Sequence, residues 1–134
     1  MKTKLPAPLA LKKFIVQKAN EIAYNGFNYN GPLETKQEIE DAYAYTVDND
    51  SFGIKSEVRY EGLETDLPAP ISRHYECEIR ALKTDDGWIG YNFWHGGGKH
   101  GAPESIDWIS DSYYLTCEEK EVLTIQRTWA KVIQ

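Results

Sequence analysis

The segment of this sequence with the most chemistry-bearing side chains is the glycine-rich stretch from Trp94 to Glu104. It reads WHGGGKHGAPE, so two histidines, one lysine and four glycines stand between a predicted strand and a predicted helix. Clustered glycines allow backbone N–H groups to converge, and a helix N-terminus adds unpaired donors. With Lys99 and a protonated His100, these donors could hold a phosphate, a nucleotide or a carboxylate. The stretch therefore predicts an anion-binding loop at residues 95–101.

Aromatic side chains near this loop extend the predicted site, because a tryptophan can stack on a base. The pattern is neither a Walker loop nor a dinucleotide fingerprint, since the lysine precedes its last glycine and no Ser or Thr follows it. Glu104 and Asp107 would also oppose an anion, and the alternative interpretation is a plain connector whose glycines satisfy turn geometry. The candidate ligand-binding residues are Trp94, His95, Gly97, Gly98, Lys99, His100 and Trp108.

The same loop permits acid–base chemistry in principle. In a phosphodiester cleavage His95 and His100 would exchange protons with the substrate while Lys99 stabilises the developing charge. A loop does not hold two histidines five residues apart in a defined geometry, so we assign no catalytic residue. A metal site built on these histidines with Asp107 or Asp111 has no HExxH or CxxC element beside it. We therefore predict no metal and no cofactor, and a small phosphodiesterase or hydrolase is the alternative to a binding protein.

Charge and hydropathy limit the partners. The chain of 134 residues has 15 basic and 21 acidic side chains and a net charge of −6, and ten of the acids lie in residues 34–66. Duplex nucleic acid requires a basic surface, and no apolar run approaches the ~20 residues of a membrane span. The expected partners are a protein or a small anionic or nucleotide ligand. The 17 aromatic side chains exceed what a small core needs, so a homo-oligomer is also compatible with the sequence.

The predicted function is a small acidic, non-enzymatic binding protein. Its size, acidity and aromatic content are compatible with inhibitors or ligand-sequestering accessory proteins of bacteria or phages. Lys12 and Lys13 interrupt the first apolar stretch, so no signal peptide is predicted. Cys77 and Cys117 form no C-x-x-C pair and are expected to be buried free thiols. A cytoplasmic location follows from both observations.

The elements that carry these residues predict an α+β fold in a single domain, residues 1–134. We expect two N-terminal helices, at 9–25 and 33–45, packed on one face of an antiparallel sheet of about four strands. Leu9 follows two prolines, so the first eight residues are expected to be extended. The second helix has capping-box spacing between Thr35 and Glu38.

The strands are predicted from alternating hydrophobicity. Residues 54–60 alternate, residues 75–81 and 88–94 form a hairpin around Asp86-Gly87, and residues 122–133 fit a strand better than a helix because they are rich in Val, Ile, Thr and Trp. A short helix is expected from Pro103. The second hairpin arm is apolar on both faces, so it is either central or presents aromatic side chains to a partner. The predicted core consists of Phe14, Ile15, Ile22, Ile54, Val58, Ile79, Ile89, Tyr91, Phe93, Ile106 and Ile125.

Overall fold

The computed structural model describes residues 4–23, 26–49, 53–98 and 101–132, and these form three α-helices and one antiparallel sheet. The sheet order follows the chain order, from the first strand to the fourth. This architecture confirms the predicted α+β class. No helix within the described ranges is long and apolar enough to cross a bilayer. The elements are α1 (Ala7–Ile22), α2 (Lys36–Asn49), α3 (Ile54–Glu61), β1 (Leu63–Glu64), β2 (Glu76–Thr84), β3 (Gly87–His95) and β4 (Tyr113–Leu115).

The two N-terminal helices are present with shifted ends. Helix α1 begins at Ala7, two residues before the predicted start, because Pro8 lies in the first turn, where no intrahelical N–H bond is lost. It ends at Ile22, and Ala23 adopts the left-handed conformation with φ 50°. The predicted stop included Asn25, which lies outside the described residues. Helix α2 packs chiefly against α1, so it forms a second helical layer outside the sheet.

Residues 54–61 form a helix where the alternation predicted a strand. Ile54 and Val58 are both buried and lie four residues apart, a spacing that one face of a helix and one face of a strand share. Tyr60, the next residue of the predicted strand face, is 62% exposed. Gly53, with φ 80°, separates this helix from the preceding chain. The strand prediction failed because the spacing of Ile54 and Val58 fits the period of a helix as well as that of a strand.

The predicted hairpin is confirmed and forms the centre of the sheet. Strands β2 and β3 pair along their full length, from Glu76 opposite His95 to Thr84 opposite Gly87. Side chains alternate between the two faces of a strand. Ile89, Tyr91 and Phe93 therefore share an inner face, which packs on α1 and α3. Trp88 and Trp94 belong to the opposite, outer face.

The sheet edges differ from the prediction. The strand expected at 122–133 is absent from the described part, where residues 116–132 have no regular structure and are exposed. The edge strands are instead β1, which pairs with β2 at Ala81 and Arg80, and β4, which pairs with β3. The helix expected from Pro103 is a single 3-10 turn, Pro103–Ser105. Propensity alone placed a strand in the final segment, but nothing in the described fold packs against it.

Most of the predicted core is confirmed. Seven of its residues are buried: Ile15, Ile54, Val58, Ile79, Ile89, Tyr91 and Phe93. Phe14 and Ile106 are half-buried. Ile22 is 37% exposed at the end of α1, and Ile125 is 76% exposed in the final segment, so both were wrongly assigned to the core. The core gains Leu11, Leu82 and Trp108.

Candidate binding site

The glycine-rich loop leaves β3 at His95 and closes on itself within a few residues. Gly96, Gly97 and Gly98 all have positive φ, at 80°, 87° and 68°. A Cβ on Gly97 would lie 2.5 Å from a ring carbon of Tyr75, so this glycine is needed for close packing as well as for its φ. The Gly101 N–H donates to the Gly98 carbonyl at 3.1 Å. The glycines therefore have a structural explanation that requires no ligand.

His95 lies between two carboxylates. Its Nδ1 is 3.5 Å from Glu76 Oε2, and its Nε2 is 3.8 Å from Glu78 Oε1. Both carboxylates come from β2, where Glu76 and Glu78 share a face with the His95 ring. Glu78 is also paired with Arg80, at 3.2 Å, so an anion at His95 would chiefly meet the charge of Glu76. The environment of this histidine therefore favours a cation or a neutral group over a phosphate.

The structure brings only part of the predicted ligand site together. Trp94, His95, Gly97 and Gly98 lie at the end of β3 and in the loop that follows, whereas Lys99 and His100 lie outside the described residues. Trp108 is 1% exposed and packs against Tyr91, with ring centroids 4.9 Å apart. A side chain buried in this way offers no surface on which a base could stack. Anion binding at residues 95–101 stays a prediction.

Two arginine side chains pack against the last residues of β3 on the inner face of the sheet. The guanidinium groups of Arg59 and Arg80 lie 4.2 Å and 3.6 Å from the Phe93 ring centroid. Arg59 also donates to the Trp94 carbonyl and accepts, through its own carbonyl, a hydrogen bond from the Tyr91 hydroxyl. Burial raises the pKa of Tyr91 to about 12. The guanidinium groups of Arg59 and Arg80 and the hydroxyl of Tyr91 therefore stabilise the packing of the inner face.

The outer face carries a groove of about 310 Å³ whose floor is set by the pairing of the four strands. One row across the sheet runs from Leu63 through Ala81 and Gly90 to Tyr113, because each residue is the Cα partner of the next. Two large side chains therefore flank two small ones. A Cβ on Gly90 would lie 2.7 Å from Leu115 Cδ1, so the Leu115 side chain extends over this glycine. Of this row, Leu63 and Ala81 line the groove, whereas Gly90 is covered by the side chains of Leu115 and Tyr113.

The walls of the groove come from the two sheet edges. On one side Thr65 anchors the loop after β1, since its hydroxyl and its backbone N–H both donate to the Ile79 carbonyl, at 2.8 Å and 3.1 Å. This places Leu67 beside the groove. On the other side Trp88 and Leu115 are Cα partners across β3 and β4. No described helix contributes to the lining, which is formed by Leu63, Glu64, Thr65, Asp66, Leu67, Ala81, Trp88, Leu115, Thr116, Cys117 and Glu118.

The charge of the groove is concentrated at its rim. Glu64, Asp66 and Glu118 are the charged residues of the lining, and all three are exposed. The floor is apolar. Lys83 lies close by, with its Nζ 5.9 Å from the Trp88 ring centroid. An apolar floor with a negative rim is suited to a ligand that combines apolar groups with positive charge.

The two cysteines are both free, but they differ in exposure. Cys117 is exposed at the rim of the groove, so the expectation that both thiols are buried is wrong for this residue. Cys77 is half-buried, and burial, followed by the charge of Glu78, raises the pKa of its thiol. A raised pKa lowers the thiolate fraction. Cys77 is therefore a poor nucleophile.

The sequence predictions missed the groove, although one signal for it was present. The second hairpin arm is apolar on both faces, which is typical of a strand whose outer face meets a partner. Leu63, Leu67 and Leu115 carried no such signal, because they lie in a two-residue strand, a loop and a three-residue strand. Only the register of the sheet brings these residues beside Trp88.

Comparison with known proteins identifies no relative. No protein-family model, no curated protein and no solved structure matches the chain significantly. Within the described ranges no group of three or more His, Cys, Asp and Glu side chains is placed to hold a metal ion.

Proposed function

We propose that this protein is a binding protein that takes an extended, apolar and positively charged protein segment into the groove on its outer sheet face. The observation that carries the proposal is the combination of an apolar lining with the exposed carboxylates of Asp66 and Glu118 at the rim. Leu63, on the wall of the groove, is 62% exposed, and Leu67 is 42% exposed. Exposed apolar side chains gathered around one concavity are typical of an interaction site.

The shape of the groove favours an extended segment. It crosses the sheet between the loop after β1 and the chain after β4, and it is open at the surface. An extended segment places alternate side chains on one side, so several apolar residues can reach Trp88 and Leu115 at once. Basic side chains of the same segment would then lie near Asp66 and Glu118. A phosphate or a nucleotide has the wrong charge for this rim.

The location of the protein stays part of this proposal. The free thiols of Cys77 and Cys117 support a reducing compartment, of which the cytoplasm is one. Inhibition or sequestration of a partner would require nothing beyond occupation of the groove. A phosphodiesterase activity of His95, Lys99 and His100 is the competing hypothesis. It predicts product formation from labelled RNA, DNA or cyclic nucleotides that His95→Ala abolishes.

The proposal is tested by selecting ligands from a displayed library of short random peptides on the immobilised full chain. The selected peptides should alternate apolar residues and carry Lys or Arg, and raised salt should weaken their binding. Leu63→Glu should abolish binding, because it places a carboxylate on the apolar wall. The matched control is Ile71→Glu, which changes an apolar residue that is 99% exposed and lies outside the groove lining.

Three results would contradict the proposal. The selection could yield no reproducible ligand, or Leu63→Glu and Ile71→Glu could have the same effect. The selected peptides could also be acidic, which the rim carboxylates would repel. Any of these would remove the groove as the binding site. Circular dichroism of both variants would establish that each retains the fold.

A further inference from the structure

The last part of the chain is an apolar segment with no partner in the described fold. Each of residues 119–132, here called the tail, is exposed. Leu123, Ile125 and Trp129 are 101%, 76% and 85% exposed, and Val122 and Val132 are also exposed. Large apolar side chains placed in water in this way cost free energy. The tail therefore has the composition of a segment that is buried against another surface.

The residue pattern of the tail matches the groove. In an extended conformation Leu123, Ile125 and Trp129 lie on one side of the chain, and Arg127 and Lys131 lie on that same side. The opposite side contains Thr124, Gln126, Thr128 and Ala130, with Val122 and Val132 at its two ends. The charges from Val122 to Val132 are Arg127 and Lys131, which are positive. The groove offers an apolar floor and a negative rim.

We propose that residues 122–132 of one copy of this chain occupy the outer-face groove of a second copy. This inference rests on the proposed function and names its occupant. Ile125 packs on Trp88 and Leu115, with Leu123 and Trp129 on either side of it. Arg127 and Lys131 face the rim carboxylates. The exchange is reciprocal, so both tails are buried across one two-fold axis.

The chain between groove and tail argues for exchange between copies. Glu118 lines the groove, and residue 122 begins the apolar segment, so only Glu119, Lys120 and Glu121 separate them. A tail that returned to its own groove would have to reverse direction within these residues. None of the three is a turn-forming Gly, Pro, Asn, Asp or Ser. A chain that continues straight reaches another molecule instead.

A charge-exchange experiment with full-length chains tests the proposal. One variant carries Arg127→Glu and Lys131→Glu, so its tail becomes acidic while its groove is unchanged. The other carries Asp66→Lys and Glu118→Lys, so its groove becomes basic while its tail is unchanged. In a mixture each tail meets a groove of opposite charge. Sedimentation velocity of each variant alone, of the mixture and of the unmodified chain gives the association states.

The proposal predicts a dimer for the unmodified chain and at least about tenfold weaker self-association for each variant alone. Mixing the two variants should restore the dimer. Mixing has no effect if each tail binds its own groove, so two monomeric variants that stay monomeric together would overturn the proposal. An unmodified chain that is monomeric at all concentrations would also overturn it.

A second variant separates this proposal from the proposed function. Leu123→Asp, Ile125→Asp and Trp129→Asp together remove the apolar side of the tail and leave the groove intact. This full-length variant should be monomeric and should bind a labelled synthetic peptide of residues 119–134. If the unmodified chain is monomeric but the groove still binds selected library peptides, the exchange of tails between copies is contradicted and the proposed function is retained. If no peptide binds, the groove is not a binding site and both proposals are contradicted.

Discussion

Trp88 and Leu115 lie directly opposite each other in the last two strands of the sheet, where they form the wall of the groove on the side from which the tail leaves. Leu115 ends β4, and residues 116–132 are exposed. One short strand therefore completes the groove and directs the tail away from it. Any change that detaches β4 should affect the stability of the sheet and binding in the groove together.

The first prediction concerns the small residue beneath this wall. Gly90→Val should destabilise the protein by about 1–3 kcal/mol, because the added carbons would collide with Leu115 and Tyr113. Peptide binding should also fall, since Leu115 must move. Urea denaturation and fluorescence polarisation measure the two effects. Ile71→Val, at a residue that is 99% exposed and lies outside the groove lining, is the control and should leave the free energy of unfolding unchanged; equal effects of both substitutions would refute the assigned packing.

The second prediction concerns the buried tyrosine on the inner face. The pKa of Tyr91 is raised from 10.0 to about 12, so its stabilising contribution is complete below pH 10 and is lost as the pH rises toward 12. Tyr91→Phe removes the hydrogen bond to the Arg59 carbonyl and should cost about 1–3 kcal/mol at neutral pH. The Tyr91→Phe variant should lose less free energy of unfolding at alkaline pH than the unmodified protein.

Urea denaturation across this alkaline range makes the comparison. Burial also raises the pKa values of Tyr43, Tyr113 and Tyr114, so part of the alkaline loss should persist in the variant. If Tyr91→Phe and the unmodified protein lose stability identically above pH 10, the assigned role of the Tyr91 hydroxyl is wrong.

The third prediction concerns the capping box that begins α2. The Glu38 N–H donates to Thr35 Oγ1 at 3.2 Å, and the Thr35 N–H donates to Glu38 Oε1 at 2.8 Å. This N–H of Thr35 is the main cause of the lowered pKa of Glu38. The contribution of the carboxylate is therefore present above the usual pKa of 4.5 and is lost as the pH falls through the lowered value. Thr35→Ala should cost about 0.5–2 kcal/mol.

Glu38→Gln provides the matched test of the acid dependence. Glutamine keeps an acceptor for the Thr35 N–H but does not titrate in this range. Thermal unfolding between neutral and acidic pH should therefore show a shallower acid loss for Glu38→Gln than for the unmodified protein. An unchanged slope would mean that Glu38 does not contribute to the acid dependence.

The fourth prediction concerns the glycine-rich loop. Because Glu76 and Glu78 flank His95, we expect phosphate, AMP and ATP to leave the melting temperature unchanged. Thermal-shift measurements at low salt give the most sensitive test. Stabilisation by a nucleotide that Lys99→Ala removes would instead support the anion-binding hypothesis for residues 95–101.

The sequence indicated the fold class and the central hairpin because those features depend on local patterns. The Asp86-Gly87 turn and the alternation of its two arms determine β2 and β3 without help from distant residues. Helix α3 was missed because Ile54 and Val58 suit either period. The final segment was misassigned because its composition favours a strand only when another strand or surface is present.

The candidate site could not be predicted in the same way. The loop at residues 95–101 stood out by composition, yet Gly97 is explained by its contact with the Tyr75 ring and Trp108 by its burial against Tyr91. The groove instead depends on register, which places Leu63 beside Ala81 and Leu115 beside Trp88. Register between short edge strands is a property of the whole sheet.

The most direct test of the account is an intermolecular paramagnetic relaxation measurement. A nitroxide is attached at Ala130→Cys in a chain that also carries Cys77→Ser and Cys117→Ser, and this unenriched chain is mixed with the unmodified chain enriched in ¹⁵N. We predict that the amide signals of Leu63, Ala81 and Leu115 broaden, because the tail of the labelled copy lies in the groove of the other. Broadening confined to another surface, or none above the level of free nitroxide, would contradict the central claim.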